Sequence, residues 1–274
     1  MPELPEVETV KNTLKNFLLG KKIKDIIINY DKIIKYDNKD FKNALIDQTF
    51  MDIDRYGKYL IFKFEKNSLV SHLRMEGKYF IRKNLADITK HDHIIFTLEN
   101  DIYLTYHDVR KFGTMELTKK GEEFFLKSLS KLGPEINDPN INIRSIYQKI
   151  KTSTRPIKAI LLDQTIVAGL GNIYVDETLF LAKIHPNKQA KTISLKQLKI
   201  IINSAQEVIN KAIKLGGTTI RSYQSSLGVD GRFQNELNVH TLAGKQCKRC
   251  NTLIKKIKVA GRGTYICPNC QKEE

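Results

Sequence analysis

The sequence has no apolar stretch that approaches the ~20 residues needed to cross a membrane as a helix. Its N-terminus also lacks the basic segment and apolar core of a secretory signal, because Glu3, Glu6 and Glu8 occupy that region. Acidic residues are scarce: 30 Asp and Glu stand against 46 Lys and Arg, a net charge of +16. These absences predict a cytosolic protein that binds a polyanion, with nucleic acid favoured over an anionic membrane.

Cysteine is absent from the chain until its last 28 residues, where four cysteines form two Cys-x-x-Cys pairs separated by 16 residues. They are Cys247, Cys250, Cys267 and Cys270. In a reducing compartment this spacing indicates a four-thiolate Zn²⁺ site rather than disulfides. A closed thiolate site leaves no position for a substrate, so we expect one structural zinc ion in a basic module over 241–274.

The first residues that suggest chemistry are Pro2, Glu3 and Glu6, at the start of a helical apolar pattern that stops at Gly20. Removal of Met1 would leave Pro2 as a secondary amine. Its addition to a sugar C1′ would give an iminium ion, a strong electron sink, and the two carboxylates could move the protons. Proline and acidic residues are also ordinary at a helix start, so these six residues alone leave both interpretations open.

After this helix, residues 23–110 alternate short segments rich in Ile, Tyr, Phe and Val with turn formers. Such a pattern predicts an antiparallel β-sandwich in an N-terminal domain over 1–132. A helix is predicted over 121–132. The predicted strands are 22–29, 59–64, 69–73, 93–98 and 102–106.

A segment rich in Gly, Pro and Asn over 133–140 is interpreted as a linker to a helical domain over 141–240. The last helix of that domain is predicted to begin at a capping box formed by Ser194 and Gln197. Weak periodicity over 218–238 favours a mobile loop. The four predicted helices are 143–150, 156–162, 172–182 and 194–215, and the fold class is α+β.

Two short segments have features suited to phosphate binding. The Gly-Leu-Gly-Asn turn at 169–172 opens a helix, where exposed N–H groups bind anions well and Asn172 adds a donor, although alone it indicates only a tight turn. Between the cysteine pairs, 260–264 is predicted to be a hairpin tip whose glycines allow close approach to a backbone. Arg262 offers that hairpin a bidentate grip on phosphate, and the alternative is a zinc ribbon with an idle arginine.

The chain opens with Pro-Glu-Leu-Pro-Glu-Val-Glu-Thr and continues with Gly-Lys-Tyr-Leu at 57–60, an Arg–Phe loop at 108–113, the turn at 169–172 and the zinc module. In this order the segments resemble the bacterial formamidopyrimidine-DNA glycosylases, which excise oxidised purines. The resemblance runs nearly end to end. It implies a helix-two-turns-helix domain, a β-hairpin zinc finger and a monomer that binds damaged double-stranded DNA.

The resemblance also implies an activity and its residues. A bifunctional glycosylase/AP lyase would remove 8-oxoguanine and formamidopyrimidines and cut the abasic strand by β,δ-elimination. In that mechanism Pro2 attacks C1′ and Glu3 handles protons at the sugar. Lys58 and Arg262 assist the eliminations, and Glu6 is a further expected catalytic residue.

A base must leave the stack before it can be processed, so such an enzyme fills the resulting hole. The resemblance implies that Met75, Arg110 and Phe112 fill this hole, and that Arg110 faces the base opposite the extruded one. Read alone, Met75 and Phe112 would be core residues. Val109 and Lys111 stand where the family usually has Pro and Arg. The implied phosphate contacts are Lys58, His91, Lys158, Asn172 and Arg262.

Two other functions compete with this interpretation. An enzyme for oxidised pyrimidines, similar to endonuclease VIII, usually opens with Pro-Glu-Gly-Pro-Glu and lacks the Arg–Phe loop, so Leu4, Arg110 and Phe112 argue against it. A non-catalytic zinc DNA-binding protein would need neither a free Pro2 nor Glu3. Lyase activity on an abasic duplex separates that last class from the enzymes.

Overall fold

The computed structural model describes residues 1–218 and 231–273, which form two compact units. The first contains Met1–Lys131 and also Thr218 and Gly231, and the second contains Leu132–Gly217 and the residues from Arg232 onward. Of the predicted loop over 218–238, residues 219–230 lie outside the described residues. Its last part holds a 3₁₀-helix, Phe233–Glu236.

Helix α1 (Leu4–Leu18) opens the first unit. Pro5 lies in its first turn, where a missing N–H costs nothing, and the backbone N–H of Glu3 donates to Glu6 Oε2 at 2.8 Å. The apolar face predicted from the sequence is buried, with Val7 and Leu14 in the core. A second helix, α2 (Asn38–Leu45), follows the first strand.

Two four-stranded antiparallel sheets follow in the first unit. One has the order β1-β6-β7-β5 and the other β2-β3-β4-β8. The strands are β1 (Ile23–Ile28), β2 (Asp52–Tyr56), β3 (Tyr59–Lys63), β4 (Asn67–His72), β5 (Lys78–Arg82), β6 (Asp92–Leu98), β7 (Tyr103–His107) and β8 (Thr114–Lys119). The sequence prediction missed β2, β5 and β8, which are all edge strands. Edge strands carry charged side chains that protect them from aggregation, and these charges weaken the apolar signal.

The two sheets face each other across one apolar core, which confirms the predicted sandwich. The ring of Phe62 on β3 lies 5.3 Å from that of Tyr79 on β5, and Tyr79 Oη donates to Ser71 Oγ on β4 at 2.7 Å. Both contacts join one sheet to the other. They therefore hold the strand ends that carry the candidate site residues in a rigid frame.

The helix predicted over 121–132 is wrong. The chain forms a 3₁₀-helix, Glu123–Phe125, and then a single turn, α3 (Lys127–Ser130). The carboxylate of Glu123 accepts hydrogen bonds from Ser68 Oγ at 2.6 Å and from the Gly121 N–H at 3.1 Å. This long-range anchor holds the segment against β4, and it competes with a continuous helix.

The second unit contains the four predicted helices and the zinc hairpin. The Ser194/Gln197 capping box is present at the start of the last helix. No helix among the described residues is long and apolar enough to span a bilayer. The elements are α4 (Ile143–Ile150), α5 (Ile157–Leu161), α6 (Asn172–Leu181), α7 (Leu195–Lys214), β9 (Lys255–Val259) and β10 (Arg262–Ile266).

Candidate active site

The N-terminal residues are buried together in the first unit. Pro2 is buried, and Glu3 and Glu6 are 3% and 5% exposed, whereas Met1 is 44% exposed. Glu6 Oε1 accepts hydrogen bonds from the backbone N–H and the hydroxyl of Thr218, at 2.8 and 3.1 Å. Because Glu6 Oε2 already accepts from Glu3, the Glu6 carboxylate joins the start of the chain to Thr218, a residue distant in the sequence.

Lys58 stands in the tight turn between β2 and β3, which Gly57 makes possible with φ of 57°. Arg55 donates through Nη1 to the Gly57 carbonyl at 2.9 Å and through Nε to Glu8 Oε2 of α1 at 2.8 Å. Burial would raise the pKa of Glu8, but hydrogen bonds from Lys11 and Arg55 hold it below its usual value. An ionised Glu8 and Arg55, which sequence reasoning did not single out, therefore anchor the Lys58 turn to α1.

His72 is a buried neutral histidine near Lys58. Burial, together with the nearby charges of Arg74 and Lys58, lowers its pKa to about 3. Its Nδ1 accepts a hydrogen bond from the Arg74 N–H at 2.8 Å. Since His72 carries no charge near neutral pH, the positive charge at this point comes from Arg74 and Lys58.

The side chains expected to fill the hole in DNA are at the surface of the first unit. Met75 is 39% exposed and Phe112 is 53% exposed, so the alternative that they belong to the core is wrong. The guanidinium of Arg110, also exposed, lies 4.7 Å from the centre of the Phe112 ring. This distance is that of a cation–π contact, so the two exposed side chains lie against each other.

His91 lies in the turn before β6 and is half-buried, with its ring 5.6 Å from that of His107. The turn is organised by Asp92, a fully buried carboxylate that accepts hydrogen bonds from Arg82 at 3.0 Å and from the Thr89 N–H at 2.6 Å. Burial would raise the pKa of Asp92, but these donors lower it. Asp92 is therefore an anion that fixes the position of His91.

Lys158 does not occupy a position suited to phosphate binding, which corrects the sequence-based expectation. Its side chain is fully buried, and Nζ contacts Asp176 Oδ1 at 2.6 Å, Thr264 Oγ1 at 2.8 Å and the Gly263 carbonyl at 3.3 Å. An ammonium group has three protons, and three protein acceptors match them. Asn172 Nδ2 donates to the same Gly263 carbonyl at 3.0 Å, so both side chains hold the zinc hairpin next to Arg262.

Two consecutive acids in α6, Asp176 and Glu177, complete this arrangement and were missed by the sequence analysis. Asp176 Oδ2 accepts from His240 Nδ1 at 2.8 Å and from the Tyr265 N–H at 3.2 Å. Glu177 accepts from the backbone N–H groups of 238, 239 and 240, each at 2.9 Å. Two adjacent carboxylates in an otherwise apolar helix could have indicated this arrangement from the sequence, because buried charges require partners.

Replacement of Lys158 by Met is expected to lower the free energy of unfolding of the second unit by about 3–5 kcal/mol, because Asp176 would remain buried without its cation. Urea unfolding, followed by a probe in that unit, measures the loss. Lys211→Met is the matched control: Lys211 pairs with Glu236 at 2.6 Å, but the side chains are 55% and 42% exposed. That change should cost much less, because water screens an exposed ion pair, and equal losses in the two variants would contradict the assignment.

The four cysteines come together as the spacing predicted. Their Sγ atoms all lie within 4.8 Å of one another, and Cys250 Sγ is 3.4 Å from Cys267 Sγ and 3.6 Å from Cys270 Sγ. A tetrahedron of thiolates about 2.3 Å from Zn²⁺ has edges of about 3.8 Å, so the cluster fits one ion. The adjacent hairpin turns at Ala260 and Gly261, which both have positive φ, and Arg262 is the exposed first residue of β10.

Three family models match nearly the whole chain. The formamidopyrimidine-DNA glycosylase N-terminal domain matches residues 1–115, the H2TH domain of the same enzymes matches 132–224, and a zinc finger found in FPG and IleRS matches 244–272. A formamidopyrimidine-DNA glycosylase of Oceanobacillus iheyensis is 48% identical over 273 residues, which cover 99% of this chain and 98% of that protein. The chain belongs to the formamidopyrimidine-DNA glycosylase family.

Other relatives agree with this placement in the glycosylase family. A formamidopyrimidine-DNA glycosylase of Streptococcus pneumoniae is 44% identical over 276 residues, with both chains covered completely. The Lactococcus lactis Fpg, solved in complex with DNA that contains an abasic site, superposes with a TM-score of 0.94 at 45% identity, covering 99% of this chain and 100% of that one. A variant of that enzyme solved with Fapy-dG DNA gives the same values. The predicted fold, with its helix-two-turns-helix domain and one structural zinc, is confirmed.

Proposed function

We propose that this DNA glycosylase of base excision repair excises oxidised purines, such as 8-oxoguanine and formamidopyrimidines, and cuts the resulting abasic strand by β,δ-elimination. The observation that carries the proposal is the identity of 44–48% with formamidopyrimidine-DNA glycosylases over essentially the whole chain. The relatives of known structure include complexes with abasic DNA and with Fapy-dG DNA. The buried N-terminal pair of Pro2 and Glu3 would supply the nucleophile and the proton donor that such substrates need.

The proposed nucleophile is the Pro2 amine, which becomes available when Met1 is removed. Its nitrogen bonds to C1′ of the damaged nucleotide as the bond from C1′ to the base breaks, and the base leaves with the proton that the amine gives up. Glu3, buried beside Pro2, protonates the sugar ring oxygen, so that the ring opens to an iminium ion. The iminium accepts the electrons released when the C2′ proton is lost, and elimination of the two phosphates follows with help from Lys58 and Arg262.

Glu6 is proposed to act as a positioning residue rather than as a proton carrier. Its two oxygens accept from Glu3 N–H and from both donors of Thr218. With both oxygens engaged by protein donors, the carboxylate is held in one orientation. Glu6 would hold the first turn of α1, and with it Pro2 and Glu3, in a fixed place.

DNA binding is proposed to combine phosphate contacts with a wedge in the base stack. Lys58, His91, Asn172 and Arg262 would contact phosphates without reading sequence. Met75, Arg110 and Phe112 would fill the space of the extruded nucleotide, with Arg110 towards the opposite base. The partner is damaged double-stranded DNA, and we propose that the enzyme acts as a monomer in the bacterial cytosol.

The logarithm of the DNA-binding constant is expected to fall linearly with the logarithm of salt concentration, since bound phosphates release counterions. Arg262→Ala should reduce that slope by about 0.9, the value for one phosphate contact, and should weaken all sequences alike. Lys24→Ala is the control, because it removes an exposed charge on β1 with no predicted DNA contact. Binding that is insensitive to salt, or equal slopes for wild type and Arg262→Ala, would contradict the assignment.

Incision of two duplexes tests the proposed function directly. One duplex carries a single oxidised purine and the other a single oxidised pyrimidine, and a third with an abasic site reports lyase activity alone. Preference for the purine duplex is the expected result. Preference for the pyrimidine duplex would favour an activity similar to endonuclease VIII, and no lyase activity on the abasic duplex would favour a non-catalytic DNA-binding protein.

A further inference from the structure

A fully buried carboxylate, Asp108, lies beneath the loop that carries Arg110 and Phe112. Asp108 Oδ1 accepts a hydrogen bond from the Arg110 N–H at 3.0 Å. Asp108 Oδ2 accepts from the N–H groups of Phe112 and Gly113, both at 2.9 Å. One carboxylate therefore holds the backbone N–H groups of Arg110, Phe112 and Gly113. Its charge strengthens all three hydrogen bonds.

The same carboxylate reaches a second loop through Tyr106. The Tyr106 hydroxyl donates to Asp108 Oδ2 at 3.4 Å. A Cβ atom added at Gly113 would lie 1.6 Å from Tyr106 Oη, and one added at Gly77 would lie 2.2 Å from it. The hydroxyl therefore fills the space that two glycines leave, one in the Arg110 loop and one in the loop that carries Met75.

Two features of this chain make such an anchor necessary. No proline ring fixes φ at Val109, the residue before Arg110. Lys111 adopts a left-handed φ of 59°, which is unfavourable for a residue with a Cβ atom. Its ammonium group lies 4.6 Å from the centre of the Tyr30 ring, which offsets part of that strain.

We propose that Asp108 is a positioning residue that sets the discrimination between cytosine and adenine opposite the lesion. It acts through the backbone of Arg110 and Phe112, and Tyr106 extends the same anchor to the Met75 loop. The inference rests on the proposed function, since it assumes that Arg110 meets the opposite base. A guanidinium has only donors, so its alignment with the acceptors of cytosine depends on how rigidly its backbone is held.

Asp108→Asn is the informative change because the side chain keeps its shape. An amide offers one oxygen and one NH₂ group, so either Arg110 or the pair Phe112 and Gly113 would face a donor. Loss of such a buried hydrogen bond lets the loop move while leaving Arg110 itself intact. We expect the ratio of excision rates opposite cytosine and adenine to fall by about tenfold, towards the ratio of Arg110→Ala.

Glu123→Gln is the matched control, because Glu123 is also a buried carboxylate of the first unit, and it accepts from Ser68 and Gly121. It should lose stability without changing the ratio of excision rates. Cleavage of an abasic duplex should fall no more in Asp108→Asn than in this control, since the change leaves Pro2 and Glu3 untouched. Tyr106→Phe should lower the ratio by a smaller factor.

The experiment uses the full chain and the same oxidised-purine duplexes throughout. A wild type that excises no oxidised purine would refute the proposed function and leave the inference without its basis. A wild type that discriminates, together with an Asp108→Asn variant of unchanged ratio, would overturn the inference alone. If Asp108→Asn fails to fold, Tyr106→Phe becomes the test of the proposal. An unchanged ratio of excision rates in Tyr106→Phe would overturn it.

A rescue variant separates positioning from simple damage to the fold. Val109→Pro, introduced into Asp108→Asn, restores a fixed φ next to Arg110 and should recover most of the lost discrimination. Recovery of stability without recovery of the ratio would count against a positioning role for Asp108.

Discussion

Protein that retains Met1 is expected to cleave an abasic duplex at least ~100-fold more slowly than protein that begins at Pro2, because a displacement of about 1 Å already costs that factor. With Met1 present, the Pro2 nitrogen is an amide and cannot attack C1′. The remaining amine belongs to Met1, which is 44% exposed, whereas Pro2 and Glu3 are buried together. Consecutive Cα atoms are about 3.8 Å apart, so the free amine of Met1 lies far from the place that the Pro2 amine would occupy beside the Glu3 carboxylate.

Single-turnover cleavage by the two forms, each verified by mass spectrometry, measures this difference. Borohydride added during turnover should reduce the iminium and join protein to DNA, and the adduct should map to Pro2. Pro2→Gly is the control, since a primary amine remains in nearly the same place and some activity should survive. Normal cleavage by Met1-retaining protein, or an adduct on Lys58, would remove Pro2 as the nucleophile.

Loss of zinc is expected to produce the second large effect. Cys250→Ser, or treatment with a strong chelator, should weaken DNA binding at least about tenfold, because the hairpin that carries Arg262 would lose its support. The apolar cluster around the cysteines is small, with Ile254 from the module and Phe180 and Val239 from outside it. Binding of a structural zinc ion contributes about 10–16 kcal/mol in isolated fingers, far more than such a cluster provides.

Zinc content, DNA affinity and unfolding of the first unit should be measured on the same sample. The first unit has its own core, so its unfolding transition should be unchanged in Cys250→Ser. Lys272→Ala controls for the charge of the module, because it removes an exposed cation close to Cys270 without touching a ligand. Full DNA affinity in a zinc-free sample would show that the hairpin is not needed for binding.

The sequence by itself determined the parts of this protein that depend on short spacings. The four zinc ligands follow from two Cys-x-x-Cys pairs, and α7 follows from its apolar period and its Ser194/Gln197 capping box. Local rules of this kind act over a few residues. They can therefore be read without knowledge of the rest of the fold.

Tertiary structure alone decided which charged residues are buried and what they hold. Glu6 bonds to Thr218 across 212 residues of sequence, and Lys158 bonds to Thr264 across 106. No pattern near either residue indicates its partner. The family resemblance implied a phosphate contact for Lys158, whose ammonium group has protein acceptors instead. The physical reason is that burying a charge is tolerated only beside a suitable partner, and that partner is supplied by distant parts of the chain once they have folded.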